Sequence, residues 1–197
     1  MNDLFGLAAA LPEPLPGVWI RLGYSELVIG AVVGILRHIE AVVRGRPDRH
    51  GFEGDGWGAH IEGALAEMAA AKAINAYWDA PLNTFNSPSR GDVGPYEVRR
   101  RSRQDYEVLI RPGDADSKVH IAVFGCAPRF RIAGWLFGYE AKKDEWLQGH
   151  ADRDPAWFMP QCKLRGLDTL PRGDEIEEMR RQIQQEEMTQ FAREVLR

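Results

Sequence analysis

Cysteine is scarce in this chain: Cys126 and Cys162 are the two present among 197 residues. They lack the paired spacing of a metal knuckle, and no further cysteine exists to complete one. They read as two reduced thiols of a cytoplasmic protein, at least one of them in the core. Long apolar runs are also missing. LVIGAVVGIL, residues 27–36, is too short to span a bilayer. The opening MNDLFGLAAALPEPLPG has no basic segment and is broken by three prolines, so it does not read as a secretory signal. Positive charge is not in excess. A net charge of −4 argues against a general nucleic-acid coat protein but leaves room for a local basic cleft. The five histidines include no pair at a helical ligand spacing, which argues against a zinc site, and no nucleophile-elbow motif supports a Ser-His-Asp triad. GDGWG lacks the Lys-Ser/Thr of a phosphate-binding loop.

What is present is an ordinary globular composition, 44% hydrophobic and 27% charged, at a length that suits one domain with extensions. An N-terminal arm is expected over 1–23, a single domain over 24–172 and a C-terminal helix over 173–197. Ser25 is placed to cap a helix reaching about Val43, with Leu27, Val28, Val32, Ile35, Leu36, Ile39 and Val42 at helical spacing. A polar, glycine-rich loop over 44–58 leads to an alanine-rich helix from about His60 to Ala76. The period then changes to two. YEVRRRS, YEVLIR, KVHIAVF and FRIAGWLF read as four short strands, with PGDADS as a hairpin signal. DPAWFMPQCKLRGL supplies a last short strand, and a helix from about Asp174 to Leu196 closes the chain. This order predicts an α/β domain, or an α+β one, with helices covering the sheet.

Two places carry chemistry. In the alanine-rich helix, Ala64, Glu67, Ala71 and Ile74 share one face, the packed one. A lone carboxylate there is costly unless it is paired, protonated or bound to metal. In YEVRRR, alternation puts Tyr96 and Val98 on one face and Glu97, Arg99 and Arg101 on the other. Asp92 precedes them across Val93-Gly94-Pro95, a turn able to fold it back beside Glu97. Converging carboxylates repel, and a cation between them is the natural resolution. Oxygen ligands with no histidine or cysteine favour magnesium or manganese over zinc.

With GALAEMAAAK as the helix and DVGPYEVR as the metal strand, residues 63–101 resemble the active-site region of the PD-(D/E)XK, or restriction-endonuclease-like, nuclease superfamily. The resemblance implies a central mixed sheet flanked by helices and metal-dependent hydrolysis of DNA phosphodiesters with Mg2+ or Mn2+. It implies metal ligation by Glu67, Asp92 and Glu97, with Arg99 in the position of the family's lysine. The match departs at that arginine, which cannot give up a proton, and at the short Asp-to-Glu spacing. A nuclease-fold protein that no longer cuts, and binds nucleic acid or a host protein instead, is the alternative. The chain also resembles small phage-encoded proteins of similar layout, through GWLFGYEAKK and PAWFMPQCKLR among other stretches, which implies a bacterial host cytoplasm.

Arg100, Arg101, Arg103 and Arg111 make a local basic zone, read either as a phosphate-contacting wall or as a solvated strand edge. Arg37, Arg44, Arg46 and Arg49 form a second set, either DNA-facing or complementing a helix C-terminus. Trp135, Trp146 and Trp157 are expected to pack around the sheet. The amphipathic tail reads either as docked on its own domain or as a homodimer contact.

Overall fold

Alternation from Tyr96 to Phe137 does produce strands, but they are shared between two sheets. The structure, a computed structural model, describes residues 15–45, 56–82, 90–150 and 153–195. The strands are β1 (Val18–Arg21), β2 (Tyr96–Arg101), β3 (Val108–Ile110), β4 (Val119–Cys126), β5 (Arg129–Phe137), β6 (Leu147–His150) and β7 (Arg153–Met159). A mixed four-stranded sheet has the order β1-β5-β4-β2, and a three-stranded antiparallel sheet the order β3-β7-β6. The helices are α1 (Tyr24–Val43), α2 (Gly56–Ala73), the single turn α3 (Gly138–Ala141) and α4 (Gly173–Val195). The chain is thus an α/β protein with helices packed on a mixed sheet. None of its described helices is long and apolar enough to cross a membrane.

β2 runs parallel to β4, with Glu97 opposite His120 and Arg99 opposite Ala122. Parallel neighbours need a crossover, and residues 102–118 supply it, passing through β3 in the other sheet. β2 is therefore an edge strand. One face of the four-stranded sheet presents Val98, Ile121, Val123, Phe130 and Ile132 to Leu65, Ala66, Met68 and Ala69 of α2. The other face presents Ala122, Phe124 and Leu136 to Val108, Ile110 and Met159 of the second sheet. Ile176 of α4 is buried with Val119, Trp135 and Phe137 at one end of the helix-covered face.

α1 and α2 touch through small residues. A Cβ added at Gly30 would meet the side chain of Leu65, and one at Gly34 would meet the backbone of Ile61. Close helix approach accounts for both glycines, and it leaves the bulkier apolar residues of α1 on its outer side.

Several expectations are corrected. α1 begins at Tyr24 with Gly23 as its cap, not Ser25, because Glu26 reaches back to accept from the Gly23 amide at 2.5 Å. Part of the expected arm, Val18–Arg21, is an edge strand paired with β5. PGDADS is not a hairpin: β3 pairs with β7, and β4 pairs with β2 and β5. Residues 147–150 form an additional strand, β6. Both cysteines are exposed, not core. Trp135 is buried, as expected. Arg46 and Arg49 lie outside the described residues.

Candidate active site

Glu67 is buried in the helix layer, where its place on the packed face of α2 puts it. The partner it needs comes from α1. Arg37 donates Nη1–H to Oε1 at 2.6 Å and Nη2–H to Oε2 at 2.7 Å. This bidentate fork is the strongest form of carboxylate pairing. Trp78 donates its indole N–H to Oε2 at 3.2 Å, and Arg37 Nε donates to the Pro81 carbonyl at 2.9 Å. One guanidinium thus ties α1, α2 and the segment after α2 together.

Asp92 sits in the turn that launches β2. Gly94 adopts φ +57°, which a non-glycine residue enters with difficulty. Val93 and Tyr96 exchange backbone hydrogen bonds of 3.0 and 3.1 Å. The fold-back brings Asp92 alongside the edge strand, where Oδ2 accepts from the Val98 amide at 2.8 Å. Burial raises the Asp92 carboxyl to about 6, and the negative charge of Glu67 adds to the rise, outweighing the Val98 bond and the charges of Arg99 and Arg37. Glu97 is also raised, first by burial and then by the charge of Asp92. Asp92 is therefore within electrostatic reach of both glutamates.

The three acids do not form one cluster. Val98 faces the helices, so Glu97 and Arg99, one residue to either side, project to the opposite face. There Lys118 Nζ lies 3.3 Å from Glu97 Oε1. Arg99 lies near enough for its charge to lower both Asp92 and Glu97, but its guanidinium is bound elsewhere. It is held by Asp114, with Nη2 at 2.5 Å from Oδ1 and Nε at 3.3 Å from Oδ2. Burial pushes Asp114 up, but the charge of Arg99 and the Arg111 amide outweigh it, and its carboxyl ends below the usual range. Among the described residues no three His, Cys, Asp or Glu side chains gather closely enough to hold a metal ion.

Lys118 and His120 were missed in the sequence reading. The signal was present: in KVHIAVF, positions 118, 120 and 122 alternate onto one face, and β4 is the neighbour of β2. His120 is fully buried, and both ring nitrogens lack a hydrogen-bond partner among the described residues. Burial, then the nearby Arg99 charge, lowers it to about 3, so it is neutral at ordinary pH. Lys142 donates to the Asp114 carbonyl at 2.6 Å and pairs with Asp116 at 2.5 Å.

The basic zone is divided between the two faces of the edge strand. Arg100 turns toward the helices, 3.0 Å from Glu62 of α2, and donates to the Gly125 carbonyl at 3.1 Å. Arg101 lies over the rings of Tyr106 and Phe158, at 4.8 and 5.7 Å from their centroids. Arg103 is exposed and paired with Asp105 at 2.7 Å. Arg111 follows β3, its amide donating to Asp114 Oδ2 at 2.9 Å. Of the second basic set, Arg37 holds Glu67 and Arg44 pairs with Glu40 at 2.7 Å within α1.

Compared with family models, curated proteins and solved structures, the chain finds no match.

Proposed function

We propose that the chain is a metal-dependent DNA nuclease of restriction-endonuclease-like type, hydrolysing phosphodiester bonds at the outer edge of β2. The observation that carries the reading is Asp92, a carboxyl raised to about 6 on a turn between two other acids. A buried carboxyl raised further by a second acid is what a cation site presents before the cation arrives. The donor set suits a hard divalent ion. Asp92 and Glu97 would hold it, and Glu67 would join by exchanging its bond to Arg37. Magnesium or manganese held there would supply Lewis acidity toward the phosphate. Lys118, beside Glu97, takes the role that the resemblance gave to Arg99: its ammonium can donate to a phosphate oxygen or orient a water. Arg103, exposed just past the end of β2, would contact the DNA backbone, with Arg101 and Arg111 adding positive charge beside it, while Arg100 stays with Glu62 on the helix-covered face.

Nicking of supercoiled plasmid in Mg2+ or Mn2+ tests this. Wild type should nick and Asp92→Asn should not. Absence of cleavage on duplex, single-stranded and branched DNA would refute the nuclease reading.

One observation favours a second reading, a nuclease-fold protein that binds nucleic acid or a host protein without cutting. Both oxygens of Glu67 are occupied by Arg37, so the helix acid is already satisfied without a metal. DNA binding measured by fluorescence anisotropy, unaffected by chelator and unaccompanied by cleavage, is the outcome this reading expects.

A further inference from the structure

The outer side of α1 has the character of a core-facing surface, yet among the described residues nothing covers it. Ile29, Val32, Leu36, Ile39 and Val43 are each between 44% and 78% exposed. Their spacing alternates three and four residues, the a/d period of a coiled-coil seam, sustained over two heptads. Tyr24, Val28 and Val42 flank the seam and are exposed as well. A helix this apolar on its outer side, with its glycine side already packed on α2, has the pattern of a buried helix.

We infer that this face is the contact between two copies of the chain, their α1 helices packed seam to seam. Three features argue for a second copy. First, alternate a/d spacing is self-complementary: each row of knobs meets the holes of an identical helix. Second, the face carries no charge that a copy would repel. The charged side chains of α1 are engaged elsewhere: Glu26 with Lys72, Arg37 with Glu67, and Glu40 with Arg44. Third, the size fits. Eight apolar side chains, 44–83% exposed, with roughly 60–100 Å² left to cover on most of them, give on the order of 600 Å² per protomer. That approaches the ~800 Å² per partner of a standard interface and matches the largest apolar patches that mark interaction sites. This contact differs from the one expected through the C-terminal helix.

Sedimentation of the full chain over roughly 1 to 100 μM reads the association directly. Wild type should sediment at twice the chain mass. Val32→Glu with Leu36→Glu should raise the dissociation constant at least ~100-fold, because each dimer would then bury like charges in an apolar seam. Both positions are solvent-facing, so circular dichroism should stay unchanged. Met188→Glu, on α4, should leave the dimer intact. As a second measurement, Leu36→Cys in a Cys126→Ser, Cys162→Ser background should form an interchain disulfide under mild oxidation, since Leu36 lies near the seam's midpoint. A monomeric wild type, a dimer indifferent to the α1 charges, a dimer lost only with Met188→Glu, or no crosslink at Leu36→Cys would each overturn the inference.

Discussion

Replacing Arg37 by methionine keeps most of the side chain's apolar length and removes the guanidinium. Glu67 is then left buried, with Trp78 donating at 3.2 Å as the one remaining partner shown. Removing one member of a buried ion pair costs about 3–5 kcal/mol, because the surviving charge is stranded. The Trp78 bond argues for the lower end, about 3 kcal/mol, which lowers Tm by roughly 6–12 °C in a domain of this size. Urea denaturation at pH 7 measures the loss. A double mutant identifies its cause. Arg37→Met combined with Glu67→Met should recover much of the loss, since an apolar pair can replace a buried ion pair. A deficit under about 1 kcal/mol, or one that the double mutant does not reduce, would refute the view that Glu67 is stranded without Arg37.

Asp92→Asn should stabilise the fold above pH 6 by about 1–3 kcal/mol, since the wild-type carboxyl, raised to about 6, opposes folding when ionised. Denaturation curves of the two proteins should converge by pH 4, while plasmid nicking is lost. Lys118→Met should reduce nicking by about 100-fold, whereas Arg99→Lys, a change at a residue held by Asp114, should keep most of it. Equal losses would return the lysine's role to Arg99. Gly34→Val should destabilise by about 1–3 kcal/mol in thermal melts, because its Cβ would meet the Ile61 backbone and one helix must shift.

Where side-chain direction alone decides, the sequence was readable. Period-two alternation placed β2, β4 and β5 to within a residue or two, and the small-residue face of α2 implied that Glu67 is buried and needs a partner. Which partner was not readable. Arg37 lies 30 residues away, on a helix whose angle against α2 depends on Gly30 and Gly34. The sheet order was hidden for the same reason. β3 looks like one arm of a local hairpin, but its partner β7 lies beyond β4 and β5, and the period of a strand says nothing about its neighbour. β1 was invisible because VWIR follows a proline-rich stretch and is held by its pairing with β5. Lys118 was overlooked because β4, which it immediately precedes, becomes a neighbour of β2 through a crossover.

The charge balance at the site bears on how ligands would bind. Four carboxylates, Glu67, Asp92, Glu97 and Asp114, stand against three cations, Arg37, Lys118 and Arg99, and Lys142 balances Asp116 separately. The surplus is a single negative charge, and Asp92 is the acid without an ion-pair partner among those shown. A divalent ion alone would gain little there, because Glu67 and Glu97 would have to leave Arg37 and Lys118 without a counter-charge. A phosphodiester alone would face the acids. Together they can exchange partners: the phosphate takes the cations, and the metal takes the carboxylates they release. Under the nuclease reading, metal and DNA must therefore bind with positive coupling, and the coupling is reciprocal. Mn2+ titrated by calorimetry should bind weakly to the free protein. It should bind at least ~10-fold more tightly with a non-hydrolysable phosphorothioate duplex present, a coupling of about 1.4 kcal/mol. Equal Mn2+ affinity with and without the duplex would mean that these ion pairs are fixed parts of the fold and not partners waiting to be exchanged.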